Sequence, residues 1–100
     1  MAQMPGGFSE TQDAPEDIQT ICDEVKKQVE EKTKKKYVEF RAVKYRSQVV
    51  AGQICLIKVH VGGDGYLLLK VLRNLPCNGG KIELLDLNED HRKGDPIVPF

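Results

Sequence analysis

The residue types best suited to chemistry in this chain are its three cysteines and two histidines. Cys22, Cys55 and Cys77 have no Cys-x-x-Cys spacing, and three thiols in unlike surroundings do not describe a disulfide framework. His60 is predicted to be a solvated or sheet-face side chain and His91 to lie in a polar tail, and neither stands in a recognisable motif with a nucleophile and a carboxylate. The pattern therefore predicts no catalytic site, no metal and no cofactor, and it favours reduced thiols in a cytosolic protein.

A different chemistry, recognition through apolar contact, is suggested at predicted turns. A hairpin tip normally carries Asn, Asp, Ser or Gly, whereas the turn at 48–52 presents Val49, Val50 and Ala51. A second turn and the N-terminus also place apolar groups beside glycine or proline. The candidate binding residues are Met4, Pro5, Gly6, Gly7, Gln48, Val49, Val50, Ala51, Gly52, Leu75, Pro76 and Cys77.

Length and composition predict one domain spanning residues 1–100, with 1–12 as a flexible N-terminal arm. A 100-residue chain with 40% apolar and 30% charged residues supports one modest core. Fifteen basic residues offset fifteen acidic ones, which argues against nucleic acid as a partner. No stretch approaches the roughly 18–20 apolar residues of a membrane span, and the N-terminus lacks a signal-peptide pattern. We therefore expect a protein that is neither secreted nor membrane-inserted.

Residues 14–35 have the pattern of an amphipathic helix. Asp13 and Glu16 flank Pro15 in an arrangement that resembles a capping box. Apolar residues then recur at spacings of three or four, at Ile18, Ile21, Cys22, Val25 and Val29. One face of this helix should pack against a core, which makes Cys22 a buried small hydrophobe.

Four strands are predicted after the helix. From Tyr37 the apolar period becomes two, which places Val38, Phe40 and Ala42 on one face, and a phase slip near Ala42 indicates a β-bulge. Glycine-rich or proline-containing turns separate three further strands. The first follows the 48–52 turn and carries Cys55, Ile57, Val59 and Val61 on one face, which makes Cys55 a buried small hydrophobe. The second runs from Tyr66 to Arg73, and the third covers about residues 81–87. A helix laid across such an antiparallel meander is an α+β fold.

The order of the strands determines where the apolar turns lie. Successive turns of a meander fall at alternate ends of the sheet, so those at 48–52 and 75–80 share one end, and 62–65 lies at the other. The start of the helix is expected towards the first end, which brings Gly6 and Gly7 near it. The three apolar segments together describe a wedge at one edge of the molecule.

These residues resemble one family, the stefins, which are the cytosolic branch of the cystatin superfamily. Gln48-Val49-Val50-Ala51-Gly52 looks like the family's first binding loop, Pro5-Gly6-Gly7 like its N-terminal glycine trunk, and Leu75-Pro76 like the start of its second loop. Ser47 and the segment Ile57-Lys58-Val59-His60-Val61-Gly62 also read like a stefin. The resemblance covers nearly the whole chain and keeps the three motifs in the family's order.

The resemblance implies the cystatin fold, in which a long helix is wrapped by five antiparallel strands, the fifth here falling near residues 8–11. It implies a cytoplasmic, reversible, tight-binding and non-covalent inhibitor of papain-like cysteine proteases, the cathepsins among them. The protein would act as a monomer that can form a domain-swapped dimer by opening the 48–52 hairpin.

The resemblance also implies a role for each segment. Met4 and Pro5 would occupy non-primed subsites, and Gly6 would turn the arm away from the catalytic cysteine. Residues 49–51 would lie against the catalytic centre, while residues 75–76 would cover the primed side.

The chain departs from the family at Cys77, where polar residues or His are common, at Leu87, where Tyr is usual, and in the Pro-containing stretch 94–100. We expect these changes to alter selectivity more than activity, and Cys77 to be the accessible thiol. The alternative function is a non-inhibitory interaction module on the same fold.

Overall fold

The computed structural model describes residues 9–50, 52–63, 65–74 and 81–97, and at positions 49, 50 and 90 it describes the backbone alone. In these ranges the chain forms one helix and five strands. Their bounds are β1 Gln12–Asp13, α1 Glu16–Thr33, β2 Arg41–Val50, β3 Gly52–His60, β4 Tyr66–Arg73 and β5 Ile82–His91. The strands form one antiparallel sheet in the order β1-β2-β3-β4-β5, which confirms the predicted α+β fold.

Helix α1 covers most of the predicted span, but its start differs in detail from the prediction. The N-cap is Pro15, which has extended backbone and no side-chain cap, so the capping box predicted from Asp13 and Glu16 is wrong. The Pro15 carbonyl accepts the first amides, and Glu16 and Asp17 complement the helix dipole. The helix ends at Thr33 because Lys34 is left-handed, with φ of 60°.

The predicted apolar stripe of α1 is buried and packs on one face of the sheet. Each of its five members is at most 2% exposed, and both Cys22 and Cys55 are fully buried, as predicted. Strands β3 and β4 supply the facing side chains, which are Cys55, Ile57, Val59, Leu67, Leu69 and Val71. Burial of roughly a dozen apolar side chains in this cluster is the main source of stability for the fold.

Strand β2 begins later than its period-two pattern predicts. Val38 is fully exposed, so the prediction that it shares a face with Phe40 and Ala42 is wrong. The strand begins at Arg41 because the Gln19 side chain on α1 binds its start, accepting from the Ala42 amide at 2.8 Å and donating to the Phe40 carbonyl at 3.0 Å. The predicted bulge is confirmed by a register shift between Ala42 and Lys44.

Two other strands also differ from their predicted bounds. The short β1 lies at Gln12–Asp13, beside Tyr45 and Lys44, instead of at 8–11. It lies directly before the helix, and the Ala14 amide extends the contact with β2 by donating to the Val43 carbonyl at 3.1 Å. Strand β5 continues to His91, beyond the predicted end at Leu87, because its pairing with β4 resumes after a second register shift.

Residues 92–97 cross the sheet face opposite α1, and we call them the C-terminal segment. Ile97 is 2% exposed and packs with Leu56 and Leu68, so β3 and β4 are buried on both faces. The Lys58 ammonium group lies beneath the same segment and donates to the carbonyls of Lys93 and Asp95, each at 2.7 Å.

Candidate functional site

The β2–β3 hairpin is paired to its very tip. Gln48 lies opposite Ile54, Val49 opposite Gln53, and Val50 opposite Gly52, so position 51 alone connects the two strands. Pairing up to Val50 and Gly52 fixes the backbone on both sides of position 51. The predicted motif 48–52 is thus carried on a two-strand ladder, which limits the entropy that the tip loses on binding.

Gly52 is the residue that lets the neighbouring strand approach this tip. Its φ is +124°, and a Cβ built there would lie 2.6 Å from the Arg73 carbonyl oxygen. At the end of β4, Asn74 donates its amide to the Lys81 carbonyl at 2.9 Å, which closes the ladder before the 75–80 connection. The described flanks of both predicted loops therefore lie side by side. We call this end of the sheet, formed by residues 48–50, Gly52 and residues 73–74, the hairpin edge.

The start of the described chain lies near the same edge. Ser9 donates its amide to the Ser47 carbonyl at 2.8 Å, and the Ser9 hydroxyl accepts from the Ser47 amide at 3.1 Å. Ser47 directly precedes the predicted first loop. The flanks of all three predicted segments thus lie at one end of the sheet, while Gly62 and Gly65 form a turn at the other, with a 2.9 Å hydrogen bond between them.

The predicted binding residues are only partly covered by the structure. Gln48 and Gly52 are described in full, and Val49 and Val50 through their backbone. The others lie outside the described residues, namely Met4, Pro5, Gly6, Gly7, Ala51, Leu75, Pro76 and Cys77. Their roles in binding stay predictions.

The thiols of Cys22 and Cys55 are buried and unreactive. Burial raises the pKa of Cys22 to about 12 and that of Cys55 to about 11, so neither forms a thiolate near neutral pH. Cys77, predicted to be the accessible thiol, lies outside the described residues.

His60 has a carboxylate partner that its sequence neighbours did not reveal. Its Nδ1 contacts the Glu39 carboxylate, and its Nε2 lies 2.8 Å from the Gly63 carbonyl oxygen. Two acceptors favour the doubly protonated ring, and first the Gly63 carbonyl, then Glu39, raise the pKa of His60. The pair lies at the end of the sheet away from the hairpin edge, and Glu39 is too far in sequence for spacing to have indicated it.

His91 was predicted to lie in a polar tail, and that prediction is wrong. It ends β5, is 6% exposed, and its Nε2 is buried with no hydrogen-bond partner among the described residues. Burial, then the charge of Lys58, lowers the pKa of His91. His91 lies in the sheet and not in a tail because β5 continues to this residue, which is paired with Tyr66 of β4.

The described ranges contain neither a metal-binding cluster nor a membrane-spanning helix. Among the side chains described, no group of three or more His, Cys, Asp or Glu is placed to hold a metal ion. The one helix in those ranges is not long and apolar enough to cross a membrane.

Comparison with known proteins relates this architecture to one family. The model of the cystatin domain matches residues 6–94. Cystatin-B of Oplegnathus fasciatus is 47% identical over 100 residues, which is 100% of each chain. Cystatin-A1 of Sus scrofa is 47% identical over 97% of this chain and 94% of its own, and Stefin-C of Bos taurus is 45% identical over 95% and 94%. With identities this high over nearly its whole length, the chain belongs to the cystatin family and is of the stefin type.

Proposed function

We propose that this protein is a reversible, tight-binding and non-covalent inhibitor of papain-like cysteine proteases of the cathepsin type, which blocks their active-site cleft with its N-terminal arm and two loops. The coarser statement follows from the family, because cystatins inhibit cysteine proteases and are not enzymes. The observation that supports the finer one is the hairpin edge, where Gly52 contacts the end of β4 and Ser9 is bonded to Ser47.

The physical basis of the proposal is a preorganised apolar wedge. A hairpin paired as far as Val50 and Gly52 loses little conformational entropy when it enters a cleft. Apolar side chains then contribute about 25 cal/mol per Å² of surface removed from water. Inhibition would be occlusion, since the wedge covers the catalytic cysteine without presenting a scissile bond to it.

Each segment has a role in this proposal. Met4 and Pro5 would fill non-primed subsites, and Gly6 and Gly7 would turn the arm away from the catalytic cysteine. Residues 48–52 would lie at the catalytic centre, and Leu75, Pro76 and Cys77 would cover the primed side. The bonds between Ser9 and Ser47 supply the attachment point that such an arm requires.

The first test is a titration of active papain with the full chain. We expect activity to fall in proportion to added protein up to one equivalent, and intact protein to be recovered after dissociation. Papain whose catalytic thiol is blocked by a small group should still bind, because no covalent bond is required. Full activity in excess protein would instead favour a non-inhibitory interaction module.

The second test compares one substitution at two valines. Val49→Asp should weaken papain inhibition strongly, because it places a charge at the centre of the proposed wedge. Val38→Asp is the matched control, because Val38 is fully exposed before β2, away from the hairpin edge. Equal affinity of the two variants would contradict the placement of the first loop.

The proposal also covers organisation and location. We propose a single domain over residues 1–100 with residues 1–12 as its arm, a cytoplasmic location, and a monomer that can exchange its 48–52 hairpin with a second copy. Size-exclusion chromatography after mild heating tests the exchange, and cell fractionation tests the location.

A further inference from the structure

The C-terminal segment is held to the sheet by carbonyl groups at every second residue. Lys58 on β3 donates to the carbonyls of Lys93 and Asp95, and Arg46 on β2 donates from Nη1 to the Ile97 carbonyl at 2.6 Å. The Ile97 side chain fills the small cluster with Leu56 and Leu68. The segment therefore crosses the sheet from the end of β5 to β2 in one arrangement.

Arg46 also binds the opposite end of the chain. Its Nε donates to the Ser9 carbonyl at 2.7 Å, and Ser9 is further held by its bonds to Ser47. The guanidinium group is planar and always charged, so it binds two carbonyls at once in a fixed geometry. One half-buried side chain thus links residue 9, near the base of the proposed arm, to residue 97.

We propose that Arg46 is a positioning residue for protease binding, which couples the N-terminal arm to the C-terminal segment. This inference rests on the proposed role of the arm. Arg46 lies between the arm's attachment point and the C-terminal segment, and it restricts Ser9 without itself lying at the hairpin edge. An arm whose base is already ordered loses less entropy on entering a protease cleft, so its contribution to affinity depends on Arg46.

The test is a double-mutant cycle that combines Arg46→Met with deletion of residues 1–6. In the full chain we expect Arg46→Met to weaken papain inhibition by about tenfold, the scale of one charge-assisted hydrogen bond. In the truncated chain the same substitution should change the inhibition constant less than about twofold, since the part of the arm proposed to enter the cleft has been removed. A merely structural role would give the same loss in both chains, and that result would overturn the proposal.

The C-terminal side of the link is tested with a chain that ends at Asp95. This truncation removes the Ile97 carbonyl, so it should reduce the arm's contribution to affinity as Arg46→Met does. Combining the truncation with Arg46→Met should weaken inhibition no more than either change alone. Strict additivity would overturn the coupling.

Two further variants serve as controls for folding and charge. Arg41→Met removes an exposed arginine from the far end of β2 and should leave inhibition unchanged in both chains. Arg46→Lys keeps the charge but cannot bind both carbonyls in the same fork, so it should fall between wild type and Arg46→Met and should stay folded. If both the Arg46→Lys and the Arg46→Met variants inhibited papain with wild-type affinity, the proposal would be overturned.

Failure of this inference can be told apart from failure of the proposed function. If deletion of residues 1–6 alone leaves inhibition unchanged, the arm has no role and the coupling falls with it. If that deletion weakens inhibition but Arg46→Met acts equally in both chains, only the coupling is overturned.

Discussion

Gly52 shows at the scale of one residue how two distant turns come into contact. Its φ of +124° is a conformation that side chains with a Cβ rarely adopt, and the Arg73 carbonyl oxygen occupies the space that a Cβ would need. The backbone of β4 can therefore lie against the hairpin tip. The relative position of the two proposed loops depends on this contact.

We expect Gly52→Ala to be more destabilising than Gly62→Ala. Gly62 shares a positive φ, +104°, but apart from its chain neighbours no atom of the described residues lies within 4 Å of its would-be Cβ. The Gly62 variant isolates backbone strain, about 1–3 kcal/mol, whereas the Gly52 variant adds a backbone clash. Urea unfolding of both variants measures the difference. Equal losses of unfolding free energy would show that the approach of β4 to the tip is unimportant.

At the scale of an element, the C-terminal segment depends on a buried charge. Lys58 is 6% exposed, and burial lowers the pKa of its ammonium group, while Asp95 opposes that shift. Its two carbonyl acceptors replace the water that it loses. The lysine is therefore an anchor for residues 92–97, and not only a polar residue in β3.

Lys58→Met should destabilise the protein by about 1–3 kcal/mol, because the carbonyls of Lys93 and Asp95 lose their donor. The Asp95 amide, bonded to the Arg92 carbonyl at 3.1 Å, should also exchange faster with solvent. Lys44→Met is the control, since Lys44 lies opposite Lys58 and forms an exposed pair with Asp13, worth about 0–1 kcal/mol. Equal effects in the two variants would refute the anchoring role.

At the scale of the whole molecule, two histidines at one end of the sheet titrate in opposite directions. His60 and His91 each lie opposite Tyr66, on the two sides of β4. The Gly63 carbonyl and Glu39 raise the pKa of His60, whereas burial and Lys58 lower the pKa of His91. The response of this end of the fold to pH is the sum of two opposed contributions.

The signs predict different pH profiles for two variants. A histidine whose pKa is raised in the folded state stabilises the fold at pH values below its unfolded pKa of about 6.5, and this stabilisation is lost as pH rises through the folded pKa. His60→Gln should therefore lose most stability, relative to wild type, in acid. A lowered folded pKa costs stability as pH falls below about 6.5, so His91→Gln should improve relative to wild type in acid. Urea unfolding from about pH 5 to about pH 8 tests both slopes, and parallel profiles would contradict them.

Local sequence patterns were sufficient for much of the fold and for the end of the sheet at which the described flanks of the candidate segments lie. The helical stripe, the bulge near Ala42 and the strand Tyr66–Arg73 follow from periodicity, because side chains on one face repeat at fixed intervals. Val38 was misplaced because period two continues into a segment where the Gln19 side chain, and not a strand partner, binds the backbone.

The sequence by itself determined the order of the helix and the four strands after it and the α+β fold, because periodicity and turn residues are local signals. It also determined the end of the sheet at which the flanks of the apolar turns lie, because successive turns of a meander alternate between the two ends. Only the tertiary structure decided which distant groups meet. Arg46 binds Ser9 and Ile97 across separations of 37 and 51 residues, and His60 meets Glu39 across 21. Such contacts leave no periodic trace in the sequence, since they depend on how the finished sheet brings the two ends of the chain together.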